Sequence, residues 1–151
     1  MTNIDAPFPS ERWFTELIAR AMSDGPLMER LGIADLRLGV EVLDSHSTPT
    51  LFGIVLDGYD IEAVGEVNGT EFEPEVVVSG SIDTWREMVA SIETHGRADS
   101  THTLNSLAIV GAPLSIRAAD PMGNDKFFRY MGTLQAIFDS AGSPAIAASG
   151  R

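Results

Sequence analysis

The sequence predicts a single domain of the α+β class, and three observations carry that prediction. The spacing of apolar residues is helical near the N-terminus, alternates with a period of two over most of the stretch from Asp35 to Ser79, and turns helical again before Phe138. The alternating block is punctuated by Asp57-Gly58 and Asn68-Gly69, dipeptides that fit tight reversals between antiparallel strands. A length of 151 residues is that of one domain, enough to hide roughly two-thirds of the surface the extended chain exposes.

The elements follow in order. Residues 1–9 hold two prolines and no periodicity, and are expected to be a flexible N-terminus. Ser10 and Glu11 open a helix with Trp13, Phe14, Leu17, Ile18 and Ala21 on one face, which Asp24-Gly25-Pro26 stops. Leu27, Met28, Leu31 and Ile33 point to one more short helical turn. A strand then sends Leu36, Leu38, Val40 and Val42 one way and Asp35, Arg37, Gly39 and Glu41 the other. Leu51 to Leu56 and Tyr59 to Val67 read as further strands around Asp57-Gly58. The β-branched Val76-Val77-Val78 marks another, closed by Gly80.

Ser81 or Asp83 caps the next helix, in which Trp85, Met88, Val89 and Ile92 recur at helical spacing up to His95-Gly96. Leu104, Leu107 and Ala108 form a shorter helix, and a last strand falls between Ile109 and Ala118, with Pro113 confining it to an edge or bulge. Asp120-Pro121-Met122-Gly123 is expected to be a turn. Asn124 or Asp125 then caps a long final helix with Phe127, Met131, Leu134 and Phe138 on one stripe. Residues 10–141 make up the single domain, and 142–151, small and nearly featureless, a disordered tail.

Composition narrows the function. Ten Lys and Arg against 22 Asp and Glu give a net charge of −12, which repels phosphate backbones, so no nucleic acid is expected as a partner. Without cysteine there is no disulfide, thiolate metal site or thiol nucleophile. Residues 1–10 lack a positively charged start and an apolar run. No signal peptide or stable membrane insertion is expected, and a cytoplasmic location is. Asn68-Gly69-Thr70 matches a glycosylation acceptor, but a turn accounts for it better.

Catalytic signatures are sparse. The chain has no Gly-x-Ser-x-Gly elbow, Walker loop, Gly-x-Gly-x-x-Gly fingerprint or His-Glu-x-x-His helix. His46, His95 and His102 fall in or beside loops. A metal site there would need Glu93 or Asp99 as further ligands, so surface or capping roles are the plainer reading and no metal is expected. Asp57, Asp60 and Glu62 surround one hairpin and would make an acid and base pair only if one were buried. Glu71, Glu73 and Glu75 alternate along a solvent face. The late aromatic and methionine set is either ordinary core or the lining of a cavity. Phe127 and Phe128 cannot face the same way, and Met88, Met122 and Met131 suit an adaptable apolar pocket.

The run from Phe72 to Trp85, FEPEVVVSGSIDTW, resembles a passage of sterol carrier protein 2-like (SCP2-like) domains in which a strand runs into a helix. The order of elements is similar over about Ser10 to Ala141. Two segments depart from the family's pattern: Gly96 to Asn105 is polar where the family has an alanine-rich short helix, and the late Gly-Asp motif survives only loosely in Ala119 to Gly123. The resemblance implies a mixed, mostly antiparallel sheet of about five strands, covered on one face by helices, with an apolar tunnel between them. It places Trp85, Met88, Val89, Ile92, Leu104, Phe127, Phe128, Met131 and Leu134 along that tunnel; a polar end of the ligand is expected to meet Arg117, His102 or a backbone group at its mouth.

The leading expectation is therefore carriage of a hydrophobic small molecule (lipid, fatty acyl or sterol-like) with no cofactor. One rival is a small cone-shaped α+β isomerase, cyclase or hydrolase that uses the Asp57 to Glu62 carboxylates. The other is an interaction subunit that docks, or forms a homodimer, through the Phe127 to Phe138 helix.

Overall fold

The computed structural model describes residues 3–67, 72–108 and 113–142. The expected Asn68-Gly69 turn, Glu71, residues 109–112 of the last-strand segment and the tail 143–151 lie outside the described residues. Helices α1 (Glu11–Ser23) and α2 (Gly25–Leu31) precede strands β1 (Ala34–Leu43), β2 (Thr50–Gly58), β3 (Asp60–Glu66) and β4 (Val76–Ser81). Helices α3 (Ile82–His95) and α4 (Leu104–Leu107), strand β5 (Ser115–Arg117), and helices α5 (Pro121–Arg129) and α6 (Met131–Asp139) follow.

The strands form a five-stranded sheet in the order β3-β2-β1-β4-β5. β1 lies at its centre, antiparallel to β2 and parallel to β4, and the β2–β3 and β4–β5 pairs are antiparallel. The alternation read in the sequence sets the register. Leu36, Leu38 and Val40 lie opposite Leu56, Ile54 and Phe52 of β2, while Leu38 and Val40 meet Val76 and Val78 of β4. A one-residue slip would turn this whole apolar row to water. The other face carries Arg37, Glu41, Ser79 and Arg117. It also carries Gly53, where an added Cβ would stand 3.0 Å from the ring of Phe72 in the chain crossing from β3 to β4.

Helices cover the apolar face. α1 packs on β3, α3 on β4 and β1, and α6 touches α1, α2, α3, α4 and α5, which puts it in the middle of the helical layer. The helix starts expected at Ser10 and Ser81 are present. Ser10 Oγ accepts from the Trp13 amide at 3.1 Å, and Ser81 Oγ accepts from the Thr84 amide at 3.1 Å. Gly96 ends α3 with φ 82°, a left-handed conformation that favours glycine.

Two stretches differ from their sequence signals. In the segment before α1, Ile4 is buried in the core and Phe8 packs against it, its ring meeting Trp13 edge-on at 4.7 Å. Aromatic contacts continue from Trp13 to Phe14 at 5.0 Å and from Phe14 to Phe52 of β2 at 4.7 Å. The residues expected as a turn, 120–123, instead start α5: Asp120 is its cap, accepting from the Met122 amide at 2.8 Å, and Pro121 opens its first turn. The C-terminal helical stretch then bends at Tyr130, whose φ of −97° and ψ of 7° separate α5 from α6. The bend lets α5 reach the β1 and β4 strands while α6 stays inside the helical layer.

Candidate functional site

Trp85, Met88, Val89 and Ile92 are buried along α3. Leu104 of α4, Phe127 of α5 and Leu134 of α6 are buried in the same cluster, with Met131 packed against it half-buried. Trp85 stacks on Phe138 of α6 with ring centroids 5.9 Å apart. Eight of the nine residues named for a tunnel thus lie in or against the one hydrophobic core that α3, α4, α5 and α6 share with α1, α2 and the sheet. Phe128 is the exception. Phe127 is fully buried, whereas Phe128 is 50% exposed, its ring edge-on to Phe127 at 5.3 Å. Met122 also faces out, as its place in the first turn of α5 dictates.

Glu41, which the alternation marked only as a residue of the opposite face, ties this layer to the sheet. Its carbonyl oxygen accepts from the Trp85 indole Nε1–H at 3.0 Å. Its carboxylate accepts from Ser79 Oγ at 2.8 Å and from Arg117 at 3.0 Å. Burial pushes the Glu41 carboxyl up, but the bonds from Arg117 and Ser79 outweigh it and hold the group below its ordinary value. Arg117 is therefore engaged on the sheet face opposite the helices, because alternation along β5 turns Ile116 inward and Arg117 outward.

A cleft of about 570 Å³ opens beside the end of α3. It is lined by His95, Arg97, Ala98, Asp99, Ser100, Thr103, Gln135 and Asp139. The 97–103 stretch that forms one wall folds around Asp99, which accepts from the Thr101 amide at 2.9 Å and hydroxyl at 2.7 Å and pairs with His102 Nδ1 at 2.8 Å. The Thr101 hydroxyl, then His102, hold the Asp99 carboxyl well below the usual carboxylate range. His95 Nδ1 lies 3.1 Å from the Ser91 carbonyl, which can only accept, so Nδ1 carries the proton and a neutral ring leaves Nε2 as an acceptor.

Across the cleft, Asp139 Oδ1 accepts from the Ala98 amide at 3.1 Å and from Gln135 Nε2 at 2.9 Å, and Gln135 Oε1 accepts from the Leu104 amide at 2.7 Å. Burial raises the Asp139 carboxyl above its ordinary value, against the lowering effect of Gln135, Ala98 and Arg97. A raised carboxyl contributes stability that is present below the unfolded pKa and is lost as pH rises through the folded one. Asp139→Asn keeps the Oδ1 acceptor and removes the charge. Its denaturant midpoint is expected to equal or exceed that of the parent at pH 7, and the difference is expected to shrink towards pH 4.

The other sequence candidates do not converge. Asp57, Asp60 and Glu62 are exposed around the β2–β3 hairpin, so none has the burial that an acid and base pair requires. Among the described residues, no group of three His, Cys, Asp or Glu side chains could hold a metal ion. No helix of the described residues is long and apolar enough to cross a membrane.

By sequence, the chain matches no known family profile and no curated protein. By structure, it is similar to sterol carrier protein 2 with a TM-score of 0.64 at 15% identity, covering 89% of this chain and 97% of that one. The fold is SCP2-like. A conserved hypothetical protein of Thermus thermophilus, described as possibly a sterol carrier protein, matches with a TM-score of 0.61 at 12% identity over 95% of this chain and 94% of that one. The apo form of sterol carrier protein 2 from Yarrowia lipolytica gives 0.53 at 8% identity, covering 83% and 99%. Residues 76–85 of the FEPEVVVSGSIDTW passage occupy β4 and the start of α3.

Proposed function

We propose that this protein binds and carries a hydrophobic small molecule in an apolar compartment between its sheet and helices α3 to α6. The compartment is bounded by Trp85, Met88, Val89, Ile92, Leu104, Phe127, Met131 and Leu134, within a folded unit spanning residues 10–141. The observation that carries this reading is the SCP2-like fold, combined with an apolar layer contributed by four helices over one sheet face. Affinity of this kind needs no charged contact, since each ligand methylene withdrawn from water contributes about 0.8 kcal/mol. A net charge of −12 disfavours nucleic acid, and a cytoplasmic carrier that needs no cofactor fits the composition.

The test is native mass spectrometry of the purified chain against its denatured mass, followed by titration with cis-parinaric acid and dehydroergosterol. A co-purified lipid, or saturable binding of either probe at micromolar concentration or tighter (about −8 kcal/mol), is the expected result. An empty protein that binds neither probe would overturn the reading. Phe128 and Met122, exposed at 50% and 57% on α5, favour a second reading, in which α5 docks on a second copy. Sedimentation of the parent and of Phe128→Ala separates the two: under the docking reading only the parent self-associates, whereas the carrier reading leaves both monomeric.

A further inference from the structure

The stretch from Arg97 to Thr103 is neither helix nor strand, and among the described residues no backbone-to-backbone hydrogen bond joins it to the sheet, α5 or α6. It is braced internally by Asp99, whose bonds to Thr101 and His102 make it one unit. Side chains alone fasten it to the body. Ser91 of α3 exchanges hydrogen bonds with Asp99 at 3.0 and 3.1 Å, while Asp139 and Gln135, one turn apart on α6, hold the Ala98 and Leu104 amides.

Its two ends are marked by helix boundaries. Gly96 sits in the left-handed region at one end, and Thr103 caps α4 at the other. Its inward residues, Ala98 and Leu104, are buried against the core, and the residues flanking its fasteners are Ile92, Leu134 and Phe138 of the apolar layer. The adjoining cleft gives it room to move. An element that lies outside the regular secondary structure and is held by a few side-chain bonds and two apolar anchors is of the kind from which ligand lids are drawn.

We infer that residues 97–104 form a gate over the apolar compartment between α3 and α6, latched shut by Gln135 and Asp139. This rests on the carrier reading above. Opening of the gate breaks the bonds to the Ala98 and Leu104 amides.

Stopped-flow association and dissociation of cis-parinaric acid with the full chain tests it, alongside amide exchange at Ala98 and Leu104. Gln135→Ala and Asp139→Ala are compared with Glu41→Gln, which weakens contacts on the opposite sheet face. In the two latch variants, exchange at both amides is expected to quicken and both probe rates to rise about tenfold, with little change in Kd, because a gate alters the barrier rather than the bound state. Glu41→Gln is expected to leave the rates unchanged. Faster amide exchange with unaltered probe rates would overturn the gate while sparing the carrier. A parent chain that binds no probe would overturn the carrier reading and the gate with it. Should Asp139→Ala fail to fold, Gln135→Ala, which frees only the Leu104 amide and one bond to Asp139, carries the test.

Discussion

Replacing Trp85 by alanine is expected to lower the stability of the folded chain by about 3–5 kcal/mol, measured as a shift of the guanidinium midpoint. Trp85 is among the largest fully buried side chains, stacks on Phe138, and donates its indole N–H to the Glu41 carbonyl. Truncation removes the packing between α3 and α6 together with the bond that joins α3 to β1. Trp85→Phe is a milder test, since it keeps an aromatic ring beside Phe138 while losing the hydrogen bond and part of the indole's bulk, for an expected cost of about 1–3 kcal/mol. The size of the alanine effect also bears on the compartment. A loss under about 1 kcal/mol would mean that the indole borders space rather than packed atoms. In that case an apolar ligand should restore the midpoint of Trp85→Ala.

Much of the fold was legible because binary patterning and chain reversals are local. The alternation around Leu36 to Val42 fixes both the central strand and the face that meets the helices, and Asp57-Gly58 and Ser81 mark boundaries by local turn and capping chemistry. The SCP2-like expectation came from the β4 to α3 passage, where strand, cap and helix signals are contiguous. Less legible were features that depend on partners far away in the chain. Asp120-Pro121-Met122-Gly123 reads as a turn because proline and glycine are strong local signals, yet Pro121 fits a first helical turn and Gly123 answers to the Glu75 backbone just before β4. Likewise Gln135 and Asp139 look like ordinary polar positions on α6 until residues 97–104 are folded against them. Glu41 becomes a hub only when β1, β4, β5 and α3 are assembled around it.

Gly123→Ala and Gly132→Ala, nine positions apart in the same helical stretch, are expected to move stability in opposite directions. Gly123 is buried in the first turn of α5, and a Cβ there would run into the Glu75 carbonyl oxygen and stand 3.2 Å from the Cβ of Ala118. The Glu75 backbone has little freedom to retreat. Its amide donates to the Arg37 carbonyl at 2.8 Å, and its carboxylate accepts from the Arg37 amide at 2.9 Å and from Lys126 Nζ at 2.8 Å. The helix has to yield instead, which draws Lys126 away from Asp35 and Glu75 and lifts Phe127 out of the core, for an expected cost of about 3 kcal/mol. At Gly132 nothing lies within 4 Å of an added Cβ, and the position is exposed and helical. Alanine there is expected to raise stability by about 0.5–1 kcal/mol, because it limits the unfolded chain more than the folded one. The pair also probes binding, since only Gly123→Ala displaces Phe127. Loss of probe affinity in Gly123→Ala but not in Gly132→Ala would place α5 at the compartment wall, whereas equal affinity in both would confine the compartment to α3, α4 and α6.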